Sequence, residues 1–339
     1  MPKVFIHYFS GTGNTKRAVD LITNDLKRKG FEVKQFVIGE NRPVFTENAD
    51  FNLFAFSILS WSAPVLVKKY LRRIPQGGGK KAAVFAVYAG DPGHALLEIE
   101  RLLKHKQFEV FLTGGACYPN NWTQMTNPPG AEKINEILNC GDNQAQVYAA
   151  SFIKGERNPH QSNKFANLAT RLSAFFFGLI GRRFLGKAYI ADSNCTNCGL
   201  CIKSCPVHTI KMVGIIRIGP YWKFNCEDCA RCINICPQKA IQVSIPKLFF
   251  HLLILIAGSW ACFSVAGLLA NKLPVAYQII GWIVAFIVSS LITLWFQFFI
   301  IDRLLFIIER IPIFKKYIDW SFTKNFNRYI APGFKPDKG

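Results

Sequence analysis

The sequence contains one cysteine pattern twice, and this repeat restricts the local fold more than any other feature of the chain. The first copy, CTNCGLCIKSCP, runs from Cys195 to Pro206, and the second, CEDCARCINICP, runs from Cys226 to Pro237. Each copy has four cysteines at the same spacing and a proline directly after the fourth. The first three thiolates can turn inward onto one small object, whereas the fourth lies too far along to complete the same tetrahedron. The repeat therefore predicts that these cysteines bind metal.

The distribution of the other cysteines agrees with metal binding. Eight of the 11 cysteines lie in the two copies, and the other three, Cys117, Cys140 and Cys262, are single and are predicted to be packing residues. Such clustering indicates ligation and not a disulfide framework, and so a reducing compartment. Zinc is the alternative metal, but two C-x2-C pairs per zinc ion leave the extra cysteines and both prolines unexplained.

The doubled C-x2-C-x2-C-x3-C-P pattern resembles that of bacterial-type two-cluster ferredoxins over residues 188–245. In that family the fourth cysteine of each copy ligates the other cluster. The resemblance implies a small α+β ferredoxin domain with two [4Fe-4S] clusters. The implied ligands are Cys195, Cys198, Cys201 and Cys236 for one cluster, and Cys226, Cys229, Cys232 and Cys205 for the other.

Two long uncharged stretches follow the cysteines. Residues 248–270 and residues 275–301 contain no Asp, Glu, Lys or Arg, and the short turn NKLP lies between them. As helices, both are long enough to cross the ~30 Å hydrocarbon core of a bilayer. Buried helices of a soluble core are the alternative, which these lengths disfavour. We therefore predict two transmembrane helices in a hairpin over residues 246–302.

The charge of the chain indicates how this hairpin is oriented. The formal net charge is +20, from 41 Lys and Arg against 21 Asp and Glu, which predicts an anionic partner. The hairpin turn carries only Lys272, whereas residues 303–339 interleave many basic residues with apolar ones and predict a basic amphipathic cytoplasmic tail. By the positive-inside rule, both ends of the hairpin face the cytoplasm. We expect membrane lipid, and not nucleic acid, to be the anionic partner.

The expected location follows from the same features. The N-terminal run MPKVFIHYFSGTGNT has no basic segment followed by an apolar core, so no secretory signal is expected. The redox domains and both termini are expected on the cytoplasmic side of a bacterial or archaeal cytoplasmic (inner) membrane.

An amphipathic connector over residues 153–187 precedes the cysteines. Apolar residues recur there at the spacing of one helix face, namely Phe165, Leu168, Ala169, Leu172, Phe175, Phe176 and Leu179. Its polar side carries Arg171, and two further arginines follow. The pattern predicts a helix that either packs on a domain or lies at the membrane surface, and both interpretations remain open.

A glycine-rich turn follows the first predicted strand of the chain. It comprises Ser10, Gly11, Thr12, Gly13, Asn14 and Thr15. The turn lacks the third glycine of a dinucleotide fingerprint and the Gly-Lys-Ser/Thr of a P-loop, but its hydroxyls and the backbone N–H groups of a helix start suit a terminal phosphate. Further strand candidates near residues 31–38, 51–59, 81–88 and 108–117 alternate with helical stretches. A five-stranded α/β doubly wound parallel sheet is therefore predicted over residues 1–152.

With its S-x-T-G-x-T turn after the first strand, the segment 1–152 resembles flavodoxins. The resemblance implies a flavodoxin-like fold that holds FMN beyond the carboxyl ends of the strands. Flavodoxins sandwich the flavin ring between the loops after the third and fourth strands, here SWSAP and YAGDPGH. Trp61 is the implied stacking residue, with Tyr88 or Trp122 as its partner. Besides the turn and these aromatic residues, the implied FMN-binding residues are Ser60, Ser62, Ala63, Gly90 and Asp91.

A flavodoxin followed by a two-cluster ferredoxin resembles a known fusion, to which the hairpin is an addition. FMN exchanges one or two electrons and each cluster exchanges one, so the combination implies a converter between paired and single electrons. The expected function is that of a membrane-anchored oxidoreductase linking a soluble ferredoxin or flavodoxin to a membrane acceptor, such as quinone or a membrane redox complex. The alternative is an anchored carrier that serves a partner enzyme and has no substrate of its own.

Polar residues in or beside the predicted spans are candidates for binding a quinone. They are His251, Gln278, Gln297 and Arg303. Contacts between helices or with the interface are the alternative role for such residues. No catalytic acid, base or nucleophile constellation stands out, so the expected chemistry depends on the cofactors alone.

Overall fold

The structure is a computed structural model, and it describes residues 1–39, 48–158, 164–214 and 218–336, with the backbone alone at 164–167. Five parallel strands form the sheet of the N-terminal domain: β1 (Lys3–Phe9), β2 (Glu32–Val37), β3 (Phe51–Ser57), β4 (Lys81–Tyr88) and β5 (Glu109–Cys117). Neighbouring strands pair in the order β2-β1-β3-β4-β5. This is the flavodoxin-like order, and it confirms the predicted doubly wound sheet. Its switch point lies between β1 and β3, where a ligand is expected.

Helices cover both faces of this sheet. They are α1 (Asn14–Arg28), α2 (Val65–Arg73), α3 (Ala95–His105) and α4 (Ala131–Lys154). Alternate residues of β3 belong to the two cores: Phe54 and Phe56 pack on the side of α2 and α3, and Leu53 and Ala55 on the side of α1 and α4. Because both faces are buried, the strands are apolar throughout and do not alternate.

The cysteine-rich domain is small and has short elements. After helix α5 (Lys164–Phe176), its helices are α6 (Arg182–Ala188), α7 (Leu200–Lys203) and α8 (Arg231–Ile235). Its strands are β6 (Tyr189–Ala191), β7 (Ile210–Val213), β8 (Gly219–Trp222) and β9 (Ile241–Val243). Strands β6 and β9 pair antiparallel, as do β7 and β8. The β7/β8 pair confirms the small α+β domain. Tyr189 and Ile233 belong to the same core as Phe54, so the N-terminal domain and the cysteine-rich domain pack as one body.

One helical run connects these two domains. It consists of α5 (Lys164–Phe176), a π-helical turn (Phe177–Gly181) and α6. The predicted connector therefore has helical structure from residue 164 onward. Phe165 lies where only the backbone is described, and the apolar residues from 168 onward are described below.

Two long helices form a hairpin after the cysteine-rich domain. Helix α9 (Ile245–Ala270) is followed by α10 (Val275–Phe296), which continues through a π-helical turn (Gln297–Ile301) into α11 (Asp302–Ile308). Both are long and apolar enough to cross a membrane, and most of their side chains are not covered by the chain. They meet at small residues, where Gly258 lies against Thr293 and the Cys262 Sγ atom lies 3.3 Å from the Thr293 hydroxyl. These two apolar helices indicate membrane association.

The predicted amphipathic tail divides into two parts. Helix α12 (Pro312–Ile318) exposes Ile313, Phe314 and Tyr317, as expected for an interfacial segment. Residues 321–336, here named the C-terminal strap, instead return to the N-terminal and cysteine-rich domains. The Thr323 hydroxyl accepts a hydrogen bond of 3.1 Å from the Val243 backbone, and the Ala331 N–H donates to the Thr12 carbonyl at 2.8 Å. The prediction of a tail on lipid is therefore wrong for the strap.

Candidate cofactor sites

The glycine-rich turn joins β1 to α1 at the switch point of the sheet. Gly13 lies just before α1 in the left-handed region, at φ 107°, where glycine is the favoured residue. The Ser10 hydroxyl stabilises the turn by accepting hydrogen bonds from the backbone N–H groups of Gly13, at 3.1 Å, and Lys16, at 3.3 Å. The turn therefore presents hydroxyls and the N-terminus of a 15-residue helix to the same space, which is the geometry of an anion site.

A cavity of about 470 Å³ opens at this edge of the sheet, within the size range of small-molecule sites. Loops that follow β1, β3, β4 and β5 line it. The structure brings together there 11 of the predicted residues, namely Ser10, Gly11, Thr12, Asn14, Thr15, Ser60, Trp61, Tyr88, Gly90, Asp91 and Trp122.

Three predicted FMN-binding residues do not line this cavity. Gly13 faces the strap, where a Cβ atom on it would lie 2.6 Å from Phe334. Ser62 and Ala63 turn toward α3, where the Ser62 hydroxyl donates to the Glu98 carboxylate at 2.6 Å and the Ala63 N–H donates to it at 3.3 Å. The cause is the tight turn at residues 59–62, in which the backbones of Leu59 and Ser62 are hydrogen-bonded to each other. The prediction that Ser62 and Ala63 contact the cofactor is therefore corrected, because both residues hold their loop against α3.

That turn has left-handed backbone at Ser60 and Trp61, at φ 48° and 60°. Non-glycine residues in this region cost free energy and are found disproportionately at functional sites. The turn leaves Trp61 40% exposed at the rim of the cavity. A Cβ atom at Gly93 would lie 2.6 Å from the Trp61 ring, so the glycine allows the two loops to approach closely. Trp61 is thus held at the place where the resemblance puts a stacking residue.

Sequence analysis missed several residues that line the cavity. Phe177 comes from the π-helical turn of the connector, and Asp228, Cys229 and Ala230 come from the second cysteine repeat. The Trp122 indole donates a hydrogen bond of 3.3 Å to the Asp228 carboxylate, which closes the cavity between the two domains. No local sequence signal predicts these contacts, because they depend on how the domains pack.

Unpaired polar atoms test whether the cavity fits a polar ligand. Among the described residues, the buried Thr15 Oγ1, Ser57 Oγ and Asp228 Oδ1 atoms have no hydrogen-bond partner within the chain, and all three residues line the cavity. Buried polar atoms of this kind are normally satisfied, so they indicate a polar ligand. Aromatic side chains at the rim provide a surface for a planar ring. The residues present therefore fit a planar aromatic group with a phosphate, such as FMN, and this space is named the flavin cavity.

The eight repeat cysteines gather into two groups of four. Cys195, Cys198, Cys201 and Cys236 surround one small cavity, here named the outer cage, and Cys205, Cys226, Cys229 and Cys232 surround another, named the inner cage. These are the two sets that the ferredoxin resemblance implies. Cys198 is exposed, whereas Cys205 and Cys226 are buried, so the outer cage lies nearer the surface.

Both repeats use the same backbone geometry to direct their thiols. Asn197 and Gly199 in the first copy, and Asp228 and Ala230 in the second, have left-handed φ values between 53° and 73°. These turns curl each loop around its cage. Because both copies have left-handed residues at equivalent positions, the same cysteine spacing forms a cage in each copy.

The chemistry of the cages favours iron–sulfur clusters over zinc. Burial raises the pKa of the Cys201 thiol to about 12, and the neighbouring Cys195 and Cys236 add to that shift, so thiolates here require a compensating metal charge. A zinc ion would draw four sulfurs to within ~2.3 Å of one point. Within the described ranges, no three His, Cys, Asp or Glu side chains are close enough to hold a single ion. Four thiols that line one cavity without converging on a single point would suit a cluster of several irons better than one zinc ion.

The flavin cavity and the inner cage share a wall. Cys229 lines both of them, and a Cβ atom on Gly11 would lie 2.8 Å from the Cys229 carbonyl oxygen. Arg231, from the same loop, donates to the Gly11 carbonyl at 2.8 Å and to the Ser204 carbonyl at 2.7 Å, and it also bonds to the Ser10 carbonyl. One buried guanidinium therefore fixes the glycine-rich turn against the inner cage.

The strap completes the other side of the glycine-rich turn. The Tyr329 hydroxyl donates to the Asn14 side-chain oxygen at 2.6 Å, while the Asn14 amide nitrogen donates to the Pro119 carbonyl at 2.9 Å. Asn14 lines the flavin cavity, so the strap positions a residue of the candidate phosphate site.

Replacement of Tyr329 by phenylalanine is expected to weaken FMN retention. The change removes one hydrogen bond and leaves the Asn14 oxygen unsatisfied, a loss of ~1 kcal/mol, or roughly fivefold in the dissociation constant. Fluorescence titration of flavin-depleted protein with FMN measures this change. Tyr317→Phe, at an exposed position of α12, is the matched control and is expected to bind like the wild type. Equal affinity of both variants would show that the strap has no role in the site.

Comparisons with known proteins give one family match and several similar solved structures. Residues 194–241 match the family described as the 4Fe-4S dicluster domain. Similar solved structures include a flavodoxin from the domain Archaea, with 19% identity, 43% of this chain and 98% of that chain covered, and a TM-score of 0.30. Flavodoxin 2 from Bacillus cereus gives 21% identity, 44% and 99% coverage, and a TM-score of 0.32. No curated protein matches the sequence.

The chain thus combines a flavodoxin-like domain, a 4Fe-4S dicluster domain and two apolar helices. Iron–sulfur cluster binding by the cysteine-rich domain gives it a role in electron transfer.

Proposed function

We propose that this chain is a membrane-anchored oxidoreductase that transfers electrons between a soluble low-potential carrier and a membrane quinone, with FMN and two [4Fe-4S] clusters as cofactors. The observation that carries the proposal is the shared wall at Cys229, which places the flavin cavity directly beside the inner cage. Cofactors separated by one residue form a continuous route for electrons. The outer cage extends that route to the protein surface.

The chain holds each cofactor with its own groups. Thr12, Thr15 and the N-terminus of α1 would bind the FMN phosphate, and Trp61 would flank the ring. The cages would bind one cluster each through four thiolates. When bound, FMN exchanges one or two electrons and each cluster exchanges one. Arg231 keeps the two sites in register, because it is bonded to both the glycine-rich turn and the first cysteine repeat.

The outer cage is proposed to meet the soluble carrier. Cys198 is exposed there, and Lys203, Lys211 and Lys239 are exposed on the same small domain. Residues 193–226 contain lysine and arginine but no aspartate or glutamate. A basic surface attracts an acidic partner and speeds the encounter. A small acidic ferredoxin or flavodoxin is therefore the proposed partner.

The two apolar helices are proposed to span a bacterial or archaeal cytoplasmic membrane, with the redox domains on the cytoplasmic face. Two of the four quinone candidates are not available to a ligand. His251 and Gln297 are fully buried, and the Gln297 side-chain amide donates to the His251 carbonyl at 2.7 Å. Their hydrogen bond joins the two helices of the hairpin. Gln278 is bonded to Leu273 at the far end, and Arg303 is exposed. The flavin cavity, which would hold the cofactor that exchanges two electrons, is therefore proposed as the site of quinone reduction.

In the proposed overall reaction, two reduced one-electron carriers are oxidised, and one quinone takes up two electrons and two protons to become a quinol. We expect the full-length protein in detergent to catalyse reduction of a menaquinone analogue by reduced ferredoxin, and the rate to fall as salt screens the basic surface. Ferredoxin and quinone without the protein provide the background rate. A quinone rate at that background, with rapid exchange between the protein and ferredoxin, would overturn the proposal in favour of an anchored carrier serving a partner enzyme.

A further inference from the structure

The connector helix exposes a continuous apolar face. Leu168, Leu172, Phe175 and Phe176 are each between 52% and 61% exposed. At 3.6 residues per turn, these four side chains fall within an arc of about 100°. Exposed apolar surfaces of this kind mark contact with a partner or a membrane.

The opposite side of the same helix faces the redox domains. Ala174 is 5% exposed, and Phe177 lines the flavin cavity. The π-helical turn begins at Phe177, and such turns are frequent at functional sites. The flavin cavity and the exposed apolar face therefore lie on opposite sides of the same turn of helix.

The depth of this helix relative to the hairpin follows from contacts at its end. The rings of Phe184 and His251 lie 6.0 Å apart, and the Lys187 ammonium lies 2.6 Å from the Asp302 carboxylate. On α9, the exposed apolar side chains begin beside His251, at Phe249 and Phe250. Seven residues of helix separate Phe177 from Phe184, which is roughly 10 Å. Phe177, which lines the flavin cavity, therefore lies within roughly 10 Å of Phe184, and Phe184 contacts the hairpin where its exposed apolar residues begin.

Helix α12 exposes a second apolar patch at the same level. Ile313 is 75% exposed and Tyr317 is 68% exposed, and α12 is joined to the start of α9 through the Ser244 hydroxyl, which donates to the Ile318 carbonyl at 2.6 Å. Arg171 and Lys316 are exposed beside these patches. Apolar and aromatic residues next to basic ones are typical of helices at the surface of an anionic bilayer.

We infer that the connector helix lies on the bilayer surface with its apolar face in the lipid, so that the flavin cavity opens at the membrane boundary. The inference rests on the proposed span of the hairpin, with which the exposed face is continuous. It deepens the proposed function, because a lipid-soluble quinone would reach the cavity beside Phe177 without leaving the membrane. The connector would then have both roles that the sequence left open, with one face on the domains and the other in the lipid.

Depth-dependent fluorescence quenching tests this inference without any enzymatic turnover. An environment-sensitive fluorescent amino acid replaces Phe176, Val284 of α10 or Val147 of α4, one position at a time, in the full-length protein. All three side chains are exposed, and Val147 lies on the flavodoxin-like domain. Each protein is placed in nanodiscs of anionic phospholipid that carry bromine either near the headgroup or deep in the acyl chain. Replacement of Leu172 provides a second probe of the connector if the first variant does not fold.

We expect quenching at position 176 by the shallow bromine more than by the deep one, the reverse order at position 284, and no quenching at position 147. Quenching at 284 without quenching at 172 and 176 would overturn the inference while leaving the proposed span intact. No quenching at 284 would instead contradict the span itself, and with it both proposals about the membrane.

Discussion

Replacement of Cys226 by alanine is expected to remove about four of about eight iron atoms per chain and to isolate the flavin cavity from the outer cage. Cys226 is a buried member of the inner cage, and the loss of one thiolate leaves that cage with three. The outer cage draws all its cysteines from other positions and is expected to keep its cluster. Reduction of FMN by a soluble ferredoxin is expected to fall to background. Iron analysis, low-temperature EPR of the reduced protein and stopped-flow flavin absorbance measure these effects.

Two further variants make this prediction specific. Cys198→Ala, in the outer cage, is expected to lose a similar amount of iron but to leave the inner cluster beside the flavin cavity. Cys140→Ala, at an exposed cysteine outside both cages, is expected to retain all iron and the wild-type rate. Full iron content in Cys226→Ala, or unchanged flavin reduction, would contradict the assignment of the inner cage.

Replacement of Lys187 by methionine is expected to destabilise the junction between the redox domains and the hairpin by about 3–5 kcal/mol. The Lys187 ammonium is buried and contacts the Asp302 carboxylate at 2.6 Å, the Trp222 carbonyl at 2.8 Å and the Tyr221 hydroxyl at 2.9 Å. Burial lowers the pKa of Lys187, and the nearby Asp302 opposes that shift. Its removal leaves Asp302 charged, buried and without its main partner. The expected fall in the apparent melting temperature in detergent is on the order of 10 °C.

A double variant separates the buried charge from a loss of packing. Lys187→Met with Asp302→Asn is expected to recover most of the lost stability, because no uncompensated charge then remains buried. Lys16→Met breaks a surface pair with Asp20 and is expected to cost at most ~1 kcal/mol. Equal melting temperatures for Lys187→Met and Lys16→Met would show that the junction does not depend on this pair.

The sequence was sufficient to predict features that depend on local spacing. The cysteine repeats, the glycine-rich turn and the order of strands and helices each follow from neighbouring residues, and the structure has them where they were predicted. Trp61 and Tyr88 also line the cavity, because parallel strands bring their carboxyl-end loops to one edge of the sheet.

Features that depend on packing between distant segments could not be predicted. Ser62 and Ala63 follow Trp61 directly, yet a tight turn directs them to Glu98. The strap has the basic and aromatic composition of a lipid-binding tail, but Tyr329 binds Asn14, which lies more than 300 residues away. Composition alone does not distinguish a surface that meets lipid from one that meets another part of the same chain.

At the base of the hairpin, too, the sequence alone does not indicate the role of polar residues in apolar stretches. His251 and Gln297 are candidates for a quinone site because polar side chains within a span are costly and rare, and so often mark a functional site. Their function in the structure is mutual pairing and contact with Asp302, whose carboxylate lies 3.6 Å from the His251 ring nitrogen. The partner of Asp302 on the redox side, Lys187, lies 115 residues earlier, so no local pattern indicates the network.

Cofactor analysis of the full-length protein, purified anaerobically in detergent, tests the central claim most directly. The structure has two cages of four cysteines and one flavin cavity beside the inner cage. The account predicts about eight iron and eight sulfide per chain, from two [4Fe-4S] clusters, together with about one FMN. Four iron per chain, zinc in place of iron, or a protein without FMN that cannot be reconstituted with it would contradict the account.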